Sequence, residues 1–271
     1  MNFRCLVFLP VFLALFSVPV RAMDFQLEEM NDGHTGLAYR FLHPALENTP
    51  DYSALSGVHL FRALIPLGGD ARCVVSAPFM VADFDGYDFE DKSAFGNIYV
   101  GLLGPRREDS GVRFHLGVRL PTAQNIPNGV ANMGFNSDYL HMTRYLEDIA
   151  TIRFGVLGEK GKTEGPYVRW GITPELMKPT GNRRGDMEIL LNYGLGLGVR
   201  RGELEMGVEV VGIYLASADN VDFGHASHHQ LSLGLQYTLG DVAPGVSFTF
   251  PLDEDLPYIQ HTLNAHLKIR M

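Results

Sequence analysis

Four groups of residues in this chain have types and spacings that could do chemistry. His225-Ala226-Ser227 sets an imidazole two positions before a hydroxyl. On an extended strand such positions share a face, so the histidine could take the serine proton and leave a nucleophile. The imidazole would need an orienting carboxylate or amide; Asp219, Asn220 and Asp222 precede the pair, whereas Asp241 falls at the far end of the strand that follows. A second group, Asp83, Asp85, Asp88, Glu90 and Asp91, offers the oxygen-only donors that Ca²⁺ or Mg²⁺ accept. Its run DFDGYDFED is no EF-hand loop and reads first as a solvated acidic loop. The third and fourth groups are a basic set, Arg113, Arg119, Arg153 and Arg169, and an acidic set, Glu175, Glu188, Glu205 and Glu209.

The elements that carry these residues repeat with period two, the spacing of a strand. From Glu188 to Arg200, Ile189, Leu191, Tyr193, Leu195, Leu197 and Val199 fall on one face, and Glu188, Leu190, Asn192, Gly194, Gly196, Gly198 and Arg200 on the other. Leu263, Ala265, Leu267, Ile269 and Met271 alternate with Thr262, Asn264, His266, Lys268 and Arg270. Segments of this kind fall near 35–44, 57–66, 71–82, 95–104, 111–121, 149–158, 165–175, 187–199, 203–215, 228–239, 243–252 and 259–271. The connections alternate between short turns, such as Arg201-Gly202 and Gly240-Asp241, and longer loops, such as Thr122 to Glu147.

The chain opens with Arg4, an apolar run from Cys5 to Val20 and the sequence Val20-Arg21-Ala22. That is the pattern of a secretory signal peptide cut after Ala22. The expectation is a leader at 1–22 and one domain at 23–271. The remainder has no run of roughly 18 apolar residues that would make a spanning helix. With 22 Lys+Arg against 31 Asp+Glu, nucleic acid is excluded as a partner on electrostatic grounds. Only Cys73 follows the leader, so an internal disulfide is excluded too. No cofactor is expected: there is no phosphate-binding loop and no His/Cys metal spacing.

Alternation also occurs in soluble sandwiches. Here the apolar face is nearly free of charge through the middle of each segment, while the other face is rich in Gly, Arg and Glu. Lipid satisfies no backbone polar group, so strands that span it must close on themselves. The expected fold is an all-β, antiparallel up-and-down transmembrane β-barrel of about twelve strands, with ten as the alternative, its short turns periplasmic and its long loops external. Tyr167, Trp170, Tyr193, Tyr214, Tyr237, Phe248, Phe250 and Tyr258 are candidates for interfacial girdles. The Arg and Glu sets then point into the lumen. Basic and acidic walls would impose a transverse field and fixed hydrogen-bonding groups on a passing solute, or pair and plug the interior.

Gly96-Asn97-Ile98-Tyr99-Val100-Gly101-Leu102 and Gly117-Val118-Arg119-Leu120-Pro121-Thr122-Ala123 resemble words found in outer-membrane barrels associated with the phenol meta-degradation pathway. Such barrels commonly end in Phe or Trp, whereas this chain ends in Met271. The resemblance implies a Gram-negative outer-membrane location and a channel or transporter for small, often aromatic or hydrophobic solutes. It also implies outer-membrane lipid, lipopolysaccharide and the barrel-assembly machinery as partners. Outer-membrane phospholipases and lipid A deacylases share a His-x-Ser pair near the outer rim, which makes a lipid hydrolase built on His225 and Ser227 one alternative. A structural or adhesive barrel displaying the Thr122–Glu147 loop is another. N-terminal sequencing of the protein recovered from membranes is expected to begin at Met23; a start at Met1 would mean that the apolar run is retained.

Overall fold

The computed structural model describes residues 36–47, 51–84, 92–105, 111–180, 185–217, 223–253 and 259–271. The expected leader at 1–22, Tyr258 and the loop residues Asp85, Asp88, Glu90, Asp91, Asp219, Asn220 and Asp222 lie outside them, as does the side chain of His225.

Period-two patterning becomes thirteen strands: β1 (Gly36–Leu46), β2 (Gly57–Gly68), β3 (Ala71–Val81), β4 (Ser93–Phe95), β5 (Tyr99–Leu103), β6 (Val112–Arg119), β7 (Ile149–Gly161), β8 (Gly165–Pro179), β9 (Glu188–Arg201), β10 (Leu204–Leu215), β11 (Ser227–Tyr237), β12 (Val242–Pro251) and β13 (Ile259–Arg270). All pairings are antiparallel. β1 pairs with both β13 and β2, and β2 with β3, which closes a barrel of 12 strands. The three-residue β4 pairs only with the outer end of β3. At the tight turns Gly202 and Gly240 take φ of 58° and 60°, a left-handed conformation that costs glycine little.

The two faces separate as the alternation demands. Leu195, Leu197, Phe114, Leu116, Ile152, Ile172, Leu233 and Phe248 stand exposed on the outside. In water so large an apolar surface would drive association; in a bilayer it is the solvated face. Arg119, Arg153, Glu175, Glu205, Ser232, Asn264 and their like are buried on the inside. Trp170 stands exposed on the outside, where a girdle residue would be, but Tyr167 does not. It is 2% exposed and faces inward, and its hydroxyl lies where a Cβ on Gly198 would be. The same fit recurs where Tyr99 lies across Gly101 and Gly117.

Two sequence expectations are corrected. The segment 95–104 is split into β4 and β5, because the intervening backbone is claimed by other elements. Gly96 N–H donates to Pro78 O (2.9 Å) and Asn97 N–H to Arg144 O (2.7 Å). The connection Thr122–Glu147 is not an external display loop. It folds into a helix, Asn128–Ser137, and a 3-10 segment, Tyr139–Arg144, and enters the barrel. Ala123, Ile126, Val130, Met133 and Tyr145 pack on the inward side chains of Leu42, Val58, Met80 and Ala82 at the outer ends of β1–β3. Leu140 packs with Ile149, Met177, Leu190, Val211 and Ile213 on the opposite side. These side chains are apolar, so leaving them in external water would forfeit about 1.5–3 kcal/mol for each large one. This connection is called the plug below.

The lipid-facing assignment makes a direct forecast. Leu197→Arg should destabilise the barrel in vesicles by about 2–4 kcal/mol if this position lies near the bilayer midplane. Urea unfolding of the reconstituted protein reads this. A neutral effect would mean that the outer face does not contact lipid.

Candidate functional site: the barrel interior and its plug

Successive strands bring the inward charges together by register. Arg153 lies opposite Glu175, Glu159 opposite Arg169, and Arg200 opposite Glu205. The contacts follow: Arg153 Nε to Glu175 Oε1 at 2.7 Å, Arg169 Nε to Glu159 Oε2 at 2.6 Å, Arg169 Nη2 to Glu205 Oε1 at 2.7 Å, and Arg200 Nε to Glu205 Oε2 at 3.0 Å. Arg200 also donates twice to Glu159, at 2.9 and 2.8 Å. The two guanidiniums of Arg169 and Arg200 lie 4.4 and 4.1 Å from the Tyr167 ring centroid, so the inward tyrosine adds a cation–π contact to each.

The basic and acidic sets therefore do not face each other across an open lumen. Arg153, Arg169, Glu175 and Glu205 interleave on β7–β10 with Glu159 and Arg200, because neighbouring strands put Arg and Glu at matched heights, and Arg119 reaches Glu175 from β6. Arg113, Arg119, Arg153, Arg169, Glu175, Glu205 and Glu209 are all buried, whereas Glu188, the first residue of β9, is exposed at the outer rim. Arg40, Arg62, Arg72, Arg200, Glu159 and Lys268 join the inward set and were not singled out from the sequence. Lys268 apart, the described inward side chains of β11–β13 are neutral and mostly polar. Ser232 and Thr249 hydroxyls lie 2.9 Å apart, Asn264 Nδ2 donates to Ser247 Oγ (3.0 Å), and His266 Nε2 is 2.9 Å from Gln236 Oε1.

Two latches fix the plug to the β4–β8 side of the barrel wall. Asn97, fully buried between β4 and β5, donates through Nδ2 to Thr143 O (3.0 Å) and Leu146 O (2.6 Å) and accepts from Ala123 N–H (2.9 Å). Thr143 Oγ1 accepts from Arg119 and donates to Glu175 Oε2 (3.1 Å), joining the plug to the β6–β8 ion network. Within the plug, the Asp138 carboxylate receives His141 Nδ1 (2.8 Å), Arg144 Nη1 and Tyr145 OH (2.9 Å). Burial pushes the Tyr145 phenol well above its ordinary pKa, and the adjacent Asp138 charge adds to the rise, so it stays a donor throughout the physiological range. Asn97 belongs to a motif quoted above, but its role as a latch depends on contacts across 46 and 49 residues of sequence.

At the outer rim the His225/Ser227 geometry differs from the expected one. His225 sits in a one-turn helix, Phe223–Ala226, and β11 begins at Ser227. Period two therefore does not relate the two residues. Ser227 is buried, and its Oγ donates to Phe223 O (2.6 Å). The histidine that does meet a carboxylate is His229, on the same strand face as Ser227. Its Nδ1 lies 3.2 Å from Asp253 Oδ1 and its Nε2 2.7 Å from Tyr193 OH. Asp253 also accepts the His229 backbone N–H. In the acidic loop only Asp83 is described; it pairs with Lys92 at 2.6 Å. Among the described residues no group of three His, Cys, Asp or Glu is arranged for a metal.

No protein-family model and no curated protein sequence matches the chain. Solved structures do. The COG4313 outer membrane channel from Pseudomonas putida F1 superposes with a TM-score of 0.60 at 12% identity, covering 93% of this chain and 100% of that one. LpxR from Salmonella typhimurium superposes with a TM-score of 0.50 at 11% identity, over 88% of this chain and 100% of that one. At such identities the likeness is one of fold: this chain has the architecture of outer-membrane barrels.

Glu175 is 1% exposed and contacts both Arg153 and Arg119. Removing one partner of a buried pair strands the other charges, at a cost of about 3–5 kcal/mol. Glu175→Gln should lower unfolding stability by that order, and Glu175→Gln/Arg153→Gln should recover part of the loss. A double variant as unstable as the sum of the two single variants would mean that the pair is not coupled.

Proposed function

We propose that the protein is an outer-membrane channel for small solutes, closed in this conformation by its own plug. The observation that carries the reading is the nature of the closure. The interior is lined by ionised and hydrogen-bonding side chains, and the segment that fills its outer half is a loop held by two discrete latches. A barrel with a purely structural role could fill its core with apolar side chains. A polar lining with a separable plug suits intermittent passage, with polar groups ready to replace a solute's hydration. The fold shared with an outer membrane channel and the sequence resemblance to barrels of aromatic catabolism support it, and favour small aromatic compounds among the candidates.

Opening requires the latches to break while the barrel stays closed on itself. Asn97→Ala leaves two carbonyls and one N–H of the plug without their buried partner, weakening the closed state by at least about 1–3 kcal/mol and raising the open-to-closed ratio about tenfold or more. Thr143→Val acts on the other latch. Single-channel recording in planar bilayers should show rare openings for the native chain and more frequent ones for both variants. Silence from all three, together with no solute-driven swelling of liposomes, would overturn the reading.

One observation favours a second reading, an outer-membrane lipid hydrolase: His229, two residues from Ser227 on one strand face, is oriented by Asp253. For His229 to serve as general base, its Nε2 would have to leave Tyr193 and Ser227 Oγ would have to leave Phe223 O. Ser227→Ala should then abolish hydrolysis of phospholipid or lipid A. Activity that survives the change removes the serine from consideration.

A further inference from the structure

We infer that the lipid-facing side of the barrel carries a site for acyl-ester cleavage whose reacting hydroxyl is that of Tyr193. His229 is its base, Asp253 positions the histidine, and an apolar groove on β9–β12 seats the acyl chain. The inference rests on the hydrolase reading for its reaction class but assigns a different nucleophile, and it is independent of the channel reading.

The register carries it. Gly212 on β10 pairs with Tyr193 on β9 and with His229 on β11, so the three stand at one height on adjacent strands. A Cβ on Gly212 would lie 2.7 Å from Tyr193 Cζ. The glycine therefore lets the phenol lie across β10, where its hydroxyl donates to His229 Nε2 at 2.7 Å. The other ring nitrogen, Nδ1, donates to Asp253 Oδ1 (3.2 Å), and the second carboxylate oxygen receives the His229 backbone N–H. A bond from Nδ1–H fixes the tautomer that leaves a lone pair on Nε2, and that lone pair faces the phenol. Carboxylate, imidazole and hydroxyl thus stand in the order of a nucleophilic triad. Ser227 is 1% exposed and its Oγ is held by Phe223 O, whereas the His229 and Asp253 side chains are 27% and 24% exposed. A lipid carbonyl can approach the tyrosine without rearrangement of the histidine.

The surroundings point to the substrate. His229 shares its strand face with Leu233, and Tyr193 with Leu195 and Leu197, all three leucines standing exposed on the lipid side. Along these faces toward the periplasm lies a groove of about 580 Å³, lined by Leu197, Val199, Met206, Val208, Leu233 and Phe248 among others. Four residues separate Tyr193 from Leu197 and His229 from Leu233, about 13 Å of strand. Half the hydrocarbon core is about 15 Å. An outer-leaflet lipid whose ester lies at the triad therefore sets its acyl chain in the groove. The shared chemistry is an acyl ester, whether of a phospholipid or of an acylated glycolipid.

Water is the only co-reactant needed. His229 Nε2 takes the phenol proton as Tyr193 Oη attacks the ester carbonyl. The bond from the carbonyl carbon to the lipid oxygen breaks, and the imidazolium gives its proton to the leaving alcohol. Water then attacks the acyl-tyrosine and passes a proton to His229. The histidine returns that proton to the departing phenolate, and a fatty acid is released.

The test uses the full mature chain in phosphatidylethanolamine–phosphatidylglycerol vesicles, with and without lipid A, and measures released fatty acid. Release from the first or only from the second tells which lipid supplies the ester. Tyr193→Phe should lower kcat at least about a thousandfold. Asp253→Asn should lower kcat at least about a hundredfold at unchanged KM, the split expected of a positioning group. Val208→Trp, which fills the groove, should lower kcat/KM for p-nitrophenyl palmitate about tenfold and leave p-nitrophenyl butyrate unchanged. Acid quenching during turnover, followed by peptide mass spectrometry, should find the acyl group on Tyr193. Heat-modifiable mobility on gels checks that each variant is folded. Release that survives Tyr193→Phe, or an acyl group on Ser227 instead of Tyr193, overturns the inference and leaves the serine version of the hydrolase standing. No release by the native chain from either vesicle overturns the inference and the hydrolase reading together, and leaves the channel untouched.

Discussion

Hydrocarbon offers no hydrogen bond to a peptide group, and the rest of this molecule depends on that constraint. A spanning strand must have every N–H and C=O paired by a neighbour, so the sheet has to close. The pairing of β2 with both β1 and β3, and of β13 with β1, provides that closure. Closure fixes two environments in turn. Outward positions meet lipid and are apolar; inward positions form the only place within the membrane where charged side chains find partners.

The interior charges follow from that division. The β7–β10 network places the carboxylates of Glu159, Glu175 and Glu205 each within 3.0 Å of an arginine nitrogen on an adjacent strand, because burying such groups singly would be costly. The plug is tied into the same network through Thr143, and its apolar side chains cover the inward face of the outer ends of β1–β3. Electrostatics and apolar burial therefore act together at the outer mouth. A change at Glu175 is felt at the plug as well as in the wall.

How much of this can be read in the sequence depends on which face is apolar. From Glu188 to Arg200 one face is apolar, period two is clear, and the strand lies within two residues of its expected bounds. On β1–β3 both faces are apolar, since Leu42, Val58, Leu60, Val74 and Met80 turn inward and are buried. The alternation fades there, and the inward Arg40 and Arg62 pass unnoticed. The plug did leave a signal. Ala123, Ile126, Val130 and Met133 recur every three or four residues, the spacing of a helix, within a connection otherwise read as external. What no local pattern contains is the partner of that apolar stripe, which lies on strands far away in sequence. Tyr167 illustrates the same limit: aromatics suit the interface and the lumen alike, and only the space above Gly198 decides.

The central claim is that the plug is the closing element of a polar pathway. Met80 and Met133 belong to one packed cluster between wall and plug. On a Cys73→Ser background with the Asn97→Ala latch released, a Met80→Cys/Met133→Cys pair can be bridged by a reducible thiol crosslinker. Liposome swelling driven by a small solute is then measured before and after reduction. The account predicts no swelling while the bridge is intact and uptake once it is reduced. Equal uptake in both states, from barrels shown to be folded, would contradict it.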